Sequence, residues 1–282
     1  MITTVETMNE RAKLIGEAII KRLNGKITDE QLNPSLIIKD IEQIIRKTYH
    51  ASDETIKTLS LWIYGTYFYQ QFKEGFPYLM IYGEKGSGKT TLTSIIELLS
   101  FNSTEAYSIS NNALLEAISS GEYGTFIIDE DSFSLYEGLN NTSLRKILKD
   151  GYSNAGEFYK KENVEPYQTK RYSTFCPKVI ILNGKADSVL ENKSILIDSK
   201  RVTSDVLSGL EDVYEYKNGS KANDVNSLTS RAMLSAVIHS EKLGNILETI
   251  PESTDRDTRN QRPLIAMHKL TDGSFTNFNF KI

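Results

Sequence analysis

The stretch Gly83-Glu84-Lys85-Gly86-Ser87-Gly88-Lys89-Thr90-Thr91 fits the pattern G-x-x-x-x-G-K-[ST] through Gly83, Gly88, Lys89 and Thr90. Its glycines permit a tight turn whose backbone N–H groups point at phosphate oxygens. Lys89 would then reach the terminal phosphates and the Thr90 hydroxyl would bind Mg²⁺. Forty residues beyond Lys89, the run "TFIIDED" carries Asp129 and then Glu130. A carboxylate at the C-terminal end of a strand beside the loop can hold Mg²⁺, which assigns that metal to Thr90 and Asp129. Glu130, next in the chain, is suited to polarise an attacking water as general base. The pair favours hydrolysis of the nucleotide, since a small-molecule kinase needs no such glutamate. Guanine recognition uses Asn-Lys-x-Asp, and "NGKAD" at 183–187 carries an extra glycine that breaks that spacing. ATP is therefore the expected nucleotide. Asn183, at a strand end, fits better as a polar residue between the phosphate and the catalytic water; as Asn-Gly it also reads as an ordinary turn.

These residues need strands and helices to hold them. "FPYLMIY" before the loop is a short apolar run of the buried parallel type, and "KTTLTSIIELLS" after it is helical. "TFIID", "KVIILNG" and "SILID" read as further buried strands, with "EAYSI" as another candidate. "NNALLEAISSG", closed by Gly121, and "TSLRKILKDGY" read as helices between them. Strands alternating with helices predict an α/β fold, a parallel sheet covered by helices on both faces. Residues 3–48 read as helical, and "SDETIKTLSLWIYGTYFYQQF" as a helix with Ser52 as N-cap and a broad aromatic face. The expected division is an N-terminal helical region (1–74), a nucleotide-binding core (75–202) and a small helical C-terminal lid (203–282).

The chain has 33 basic and 37 acidic residues, so binding to nucleic acid through overall charge is disfavoured, although a local basic surface is not. One cysteine, Cys176, excludes an intrachain disulfide and fits a reducing compartment or a sulfur-poor sequence. The N-terminus lacks the continuous apolar core of a signal peptide, and "LSLWIYGTYFYQQF" is too short and too polar to span a membrane. A soluble, cytoplasmic protein is expected, in the host cytoplasm if the source is viral.

Several separate motifs resemble the AAA+ helicase-like ATPases of phages, plasmids and other mobile elements, often associated with a primase. "LSLWIYGTYFYQQFKEGFPYLMIYGEKGSGKTT" resembles the family's Leu-Trp-x-x-x-Thr-Tyr helix leading into the phosphate loop. "SLRKILKDGYSNAGEFYKK" is similar to its leucine-rich helix, and "FCPKVIILNG" to its approach into the sensor strand. "DRDTRNQRPLIAMHKL" resembles the helix of its small lid. The likeness covers about residues 55–270. It implies an ATP site shared between neighbouring subunits, a ring that is commonly hexameric, and a role in replicating an element's DNA. Asn183 would then be the sensor residue, and Arg262, with Arg259 as runner-up, would sense nucleotide from the same subunit.

Two features bear on that role. "EFYKKENVEPYQTKRYSTF" reads as a β-hairpin that interleaves aromatics with Lys160, Lys161, Lys170 and Arg171, suited to stacking on bases and tracking phosphates. In related ring helicases such a hairpin grips DNA in the pore; Glu157, Glu162 and Glu165 leave it one net positive charge, as a plain solvated hairpin would have. The family's Asp-Arg-Ser-Ile, whose arginine reaches a neighbour's γ-phosphate, is replaced by Asn192-Lys193-Ser194-Ile195. Lysine keeps the charge without the bidentate fork, so either Lys193 makes a weakened trans contact or Arg201, eight residues on, serves in its place. The resemblance implies a replicative helicase on single-stranded or forked DNA, with a primase or other replication protein as a further partner. The alternative is an ATP-dependent helicase loader or origin-remodelling ATPase that does not unwind.

Overall fold

The computed structural model describes residues 15–19, 21–22, 24–105, 110–121, 123–129, 142–161, 169–182, 188–252 and 255–271. Five strands form one parallel sheet: β1 (Tyr78–Tyr82), β2 (Ser103–Glu105), β3 (Thr125–Asp129), β6 (Lys178–Leu182) and β7 (Ser194–Asp198). The remaining two, β4 (Glu157–Lys161) and β5 (Thr169–Ser173), make a separate antiparallel hairpin. Four consecutive residues of β1 and of β3, and all five of β6, are buried. A strand with no exposed alternation must be covered on both faces, which is what flanking helices do. The α/β architecture expected from the alternation of strands and helices is therefore the one observed.

In space the strands run β2-β3-β6-β1-β7. The chain leaves β1 outward to β2, returns through β3 and β6, and then crosses β1 to place β7 on its far side. β1 is thus the point at which strand order reverses, and ligands of open α/β sheets sit at the C-terminal ends of the strands around that point. In register, Asp129 lies beside Ile181, and Ile181 beside Ile81. With neighbouring strands about 4.8 Å apart, the end of β3 lies roughly 10 Å from the end of β1, with the end of β6 between them.

One continuous apolar cluster extends from Ile37 through the sheet to Leu270. The Asp53–Gly65 helix begins at Ser52, whose side chain accepts from the Thr55 N–H at 3.2 Å, as its N-cap role predicts. Instead of showing one aromatic face, every residue from Leu59 to Tyr69 is buried. The helix runs between the sheet and the C-terminal helices, and its polar atoms are bonded inside: Trp62 Nε1 donates to Pro77 O at 2.7 Å, and the Tyr64 hydroxyl meets Ser235 Oγ at 2.6 Å. That satisfaction makes full burial of such polar aromatics tolerable.

Other sequence expectations shift in detail. The second strand lies at Ser103–Glu105, earlier than "EAYSI", of which 106–109 are outside the described residues. The Asn111–Ser120 helix does end at Gly121 in a left-handed conformation (φ 67°). After β7 come the helices Ser204–Ser208, Val213–Lys217, Ala222–Ile238, Ser240–Thr249 and Arg256–Leu270. The tail "SFTNFNF" is outside the described residues. Among the described residues, no helix is long and apolar enough to cross a membrane.

Candidate nucleotide site

The loop from Gly83 to Gly88 leaves the end of β1 and runs into the Lys89–Leu99 helix, so the first N–H groups of that helix, which lack intrahelical acceptors, face the loop's interior. Two of its glycines are required sterically. A Cβ on Gly83 (φ 153°) would stand 2.2 Å from Ser199 O, and one on Gly88 (φ 91°) would meet the Tyr49 ring at 3.3 Å in a left-handed backbone. Lys89 Nζ donates to the loop's own carbonyls, Gly83 O at 2.5 Å and Glu84 O at 3.2 Å. Ser87 Oγ is buried with no hydrogen-bond partner. An orphaned hydroxyl inside a ring of N–H donors, with an ammonium at its mouth, is a donor set that fits a phosphate chain.

The loop forms one wall of a cavity of about 940 Å³, a volume in the range of nucleotide-sized ligands. All nine residues from Gly83 to Thr91 line it, with Asp129 and Ile181 from the ends of β3 and β6. The structure therefore brings together Gly83, Glu84, Lys85, Gly86, Ser87, Gly88, Lys89, Thr90, Thr91 and Asp129. Glu130 and Asn183 fall outside the described residues, each directly following the last described residue of its strand, Asp129 or Leu182.

Sequence reasoning missed the rest of the cavity. Thr48, Tyr49 and His50, which end the Pro34–Thr48 helix, form one part of its wall. Lys200, Val202, Leu207, Leu210, Glu211, Asp212 and Val213 form another. A hydrogen bond from Glu211 N to Lys47 O (2.7 Å) ties the two segments together. Glu105, at the end of β2, adds a second carboxylate to the wall. Nothing in the local pattern of "KTYH" or "SKRVTSDVLSGLEDV" marks a site. The signal is tertiary, made by folding the N-terminal helices against the segment after β7.

Lys193 and Arg201 stand at opposite ends of β7. Lys193 precedes the strand, and its Nζ lies 5.3 Å from the centre of the Tyr152 ring and donates to Lys149 O. Six residues on, Ser199 abuts the phosphate loop, so Lys193 sits roughly 20 Å from its own loop at strand rise. Arg201 is exposed near the cavity end, where Lys200 rather than Arg201 lines the wall.

Arg262 is not brought to the cavity. Its guanidinium donates to Leu247 O (2.8 Å) and Ile250 O (3.4 Å) and pairs with Glu74 at 3.1 Å. The Arg256–Leu270 helix packs on the Asp53–Gly65 helix, with Asn260 bonded to Asn192 O at 3.2 Å, so it lies towards the N-terminal ends of the strands. There the Arg262 guanidinium caps the carbonyls ending the Ser240–Thr249 helix. Arg259, half-buried on the same helix, is likewise not in the cavity wall.

The hairpin exists. Its register sets Phe158 opposite Tyr172, Tyr159 opposite Arg171 and Lys160 opposite Lys170. Phe158 and Tyr172 turn inward, under Lys146 Nζ (5.5 Å from the Phe158 ring). Lys170 lies 4.9 Å above Tyr172, and Arg171 pairs with Glu157 at 2.6 Å. Lys161 ends β4, with its side chain outside the described set.

No protein-family model and no curated protein matches the chain. Among solved structures it is similar to the NrS-1 C terminal region, at 15% identity and TM-score 0.41, over 83% of this chain and 50% of that one. It is also similar to JCV helicase, at 14% identity and TM-score 0.35, over 99% of this chain and 72% of that one. An inhibitor-bound form of JCV helicase gives 15% identity and TM-score 0.38, over 94% and 76%. This chain thus spans half the length of the NrS-1 region it matches.

Proposed function

We propose that the protein hydrolyses ATP and couples hydrolysis to movement on DNA as a ring oligomer, a replicative helicase of a mobile element or virus. The observation that carries the ATPase reading is the single cavity that gathers the phosphate loop, Asp129 and the ends of β3 and β6. Lys89 and the loop N–H groups would bind the β- and γ-phosphates. Thr90 and Asp129 would hold Mg²⁺, which neutralises phosphate charge when bound. Glu130 would take the proton of the attacking water, with Asn183 orienting it. The part of the wall with Val202, Leu207, Leu210 and Val213 supplies an apolar surface for the base.

The separation of Lys193 from its own loop supports a site completed by a neighbour. A cation at the far end of β7 serves a nucleotide only if another subunit's loop is presented to it. Arg201, at its own cavity's end, then answers to the same subunit. DNA contact rests on the hairpin, where Lys160 and Lys170 face each other across the strands. The register pairs them, so both lie on one face of the hairpin. Arg171, next to Lys170 in the chain, lies on the hairpin's other face, where it pairs with Glu157, and Lys161 ends β4.

The test is Glu130→Gln with ATP, Mg²⁺ and single-stranded DNA. Nucleotide binding should persist, turnover should fall by at least about a hundredfold, and the ATP-held protein should sediment as a closed oligomer on DNA. Unchanged hydrolysis sinks the assignment. A monomer under all conditions removes the trans-acting lysine and the ring.

A further inference from the structure

A chain of hydrogen bonds passes beneath the phosphate loop and reaches the segment that enters the core from the N-terminal helices. Ser199 follows β7; its N–H donates to Tyr82 O at 2.8 Å, and its Oγ donates to Ser87 O at 2.9 Å. The Tyr49 hydroxyl lies 2.8 Å from that same Oγ. A serine hydroxyl carries one hydrogen, and here it is spent on the Ser87 carbonyl, so Tyr49 is the donor and Ser199 the acceptor. The direction of the chain is thereby fixed: Tyr49 Oη–H to Ser199 Oγ–H to Ser87 O. All three residues are buried. Burial and the nearby Asp198 carboxylate push the Tyr49 phenol up, which keeps it a donor.

The ring of Tyr49 is placed as deliberately as its hydroxyl. It packs against Gly88, and a Cβ there would meet it at 3.3 Å. Tyr49 thus touches the loop twice, at Gly88 through its ring and at Ser87 through Ser199. It also lines the cavity beside His50. Hydrogen bonds in a buried chain polarise one another, so removing the first donor weakens the second bond as well.

We infer that Tyr49 is a positioning residue of the nucleotide site: acting through Ser199, it holds the Ser87–Gly88 part of the loop in its phosphate-binding shape and ties that shape to the Thr48–His50 segment. This rests on the nucleotide reading of the cavity. The role is distinct from contact with the base, because the hydroxyl points at Ser199 and only the ring faces the cavity. It also gives the N-terminal helices a path to the loop, since the segment that carries Tyr49 ends the Pro34–Thr48 helix.

The test compares ADP with AMP by calorimetric titration of the full chain, for wild type, Tyr49→Phe, Ser199→Ala and the double variant. ADP places a β-phosphate in the loop and AMP does not. Tyr49→Phe keeps the ring, so AMP affinity should be unchanged while ADP affinity falls about five- to tenfold, the effect of losing one relayed hydrogen bond. Ser199→Ala should lose at least as much, and the double variant no more than Ser199→Ala alone. A Tyr49→Phe protein with an unchanged ADP-to-AMP ratio overturns the inference, whether both affinities hold or both fall equally. If wild type binds neither nucleotide, the nucleotide reading falls and carries this inference down with it, an outcome separate from the other two.

Discussion

Lys178 is fully buried at the start of β6. Its Nζ donates to Thr174 O (2.9 Å), Cys176 O (3.1 Å) and Gly151 O (3.4 Å), and sits 5.1 Å from the centre of the Tyr78 ring. Three ammonium hydrogens meet three carbonyls, and the aromatic face covers the remaining side. Lys178→Met keeps the stem and its length but deletes every donor. Burial of the ammonium is costly and pushes its pKa down, so the variant recovers several kcal/mol of desolvation. Against that stand three charge-assisted bonds of about 1.5–3 kcal/mol each and three carbonyls left dry. Each buried carbonyl left without a donor costs about 1–3 kcal/mol, so with the recovered desolvation set against three of them the expected net loss is about 3–5 kcal/mol. For a chain of this size that corresponds to a fall in Tm of roughly 6–15 °C. Thermal unfolding followed by circular dichroism measures it, and hydrogen exchange should show the Thr174 amide, bonded to Gly156 O at 3.1 Å, losing protection first. A Tm within about 2 °C of wild type, or above it, would refute the reasoning. It would show that desolvation cancels the bonds, as when a buried ion pair is replaced whole by apolar groups.

Two further outcomes are expected. Gly83→Ala drives a Cβ to 2.2 Å from Ser199 O and 2.7 Å from Ser87 Oγ; because the first clash is with backbone, ADP binding should be lost even where the protein still folds, and retained calorimetric binding would contradict the steric argument. Glu42 is half-buried beside Arg46, Lys57 and Ser60, and desolvation leads among the causes that raise its pKa. Its folded value then exceeds the unfolded one, so its favourable contribution is full below about pH 4.5 and is lost as pH rises through the folded value. Glu42→Gln should therefore match or exceed wild-type Tm at pH 7.5 and give up that advantage by about pH 4, and a constant difference across the range would refute the sign.

The strands and the phosphate loop were legible because each is a local pattern. "FPYLMIY", "TFIID", "KVIILNG" and "SILID" are apolar runs of strand length, and β1, β3, β6 and β7 lie within them. Their spatial order was not legible, because nothing local says that β6 inserts between β1 and β3. The same limit hid Tyr49 and Ser199, which are 150 residues apart in the chain and share one hydrogen bond. Arg262 lies away from the cavity for a related reason. An arginine on a C-terminal helix carries no record of which end of the sheet that helix docks against, and here it meets Glu74. Lys178 did leave a trace, a lysine heading an otherwise apolar strand. Reading it required knowing that three carbonyls converge on that point.

The hairpin has both feet fixed at its root. Thr174 N bonds Gly156 O, and Lys178 holds the carbonyls of Gly151 and Thr174 on either side of it. An element anchored in this way is set by its root, so substitutions on β4 and β5 should leave β6 in its place in the sheet. In the function proposed above, contact with DNA and hydrolysis would then sit in separable parts of one chain.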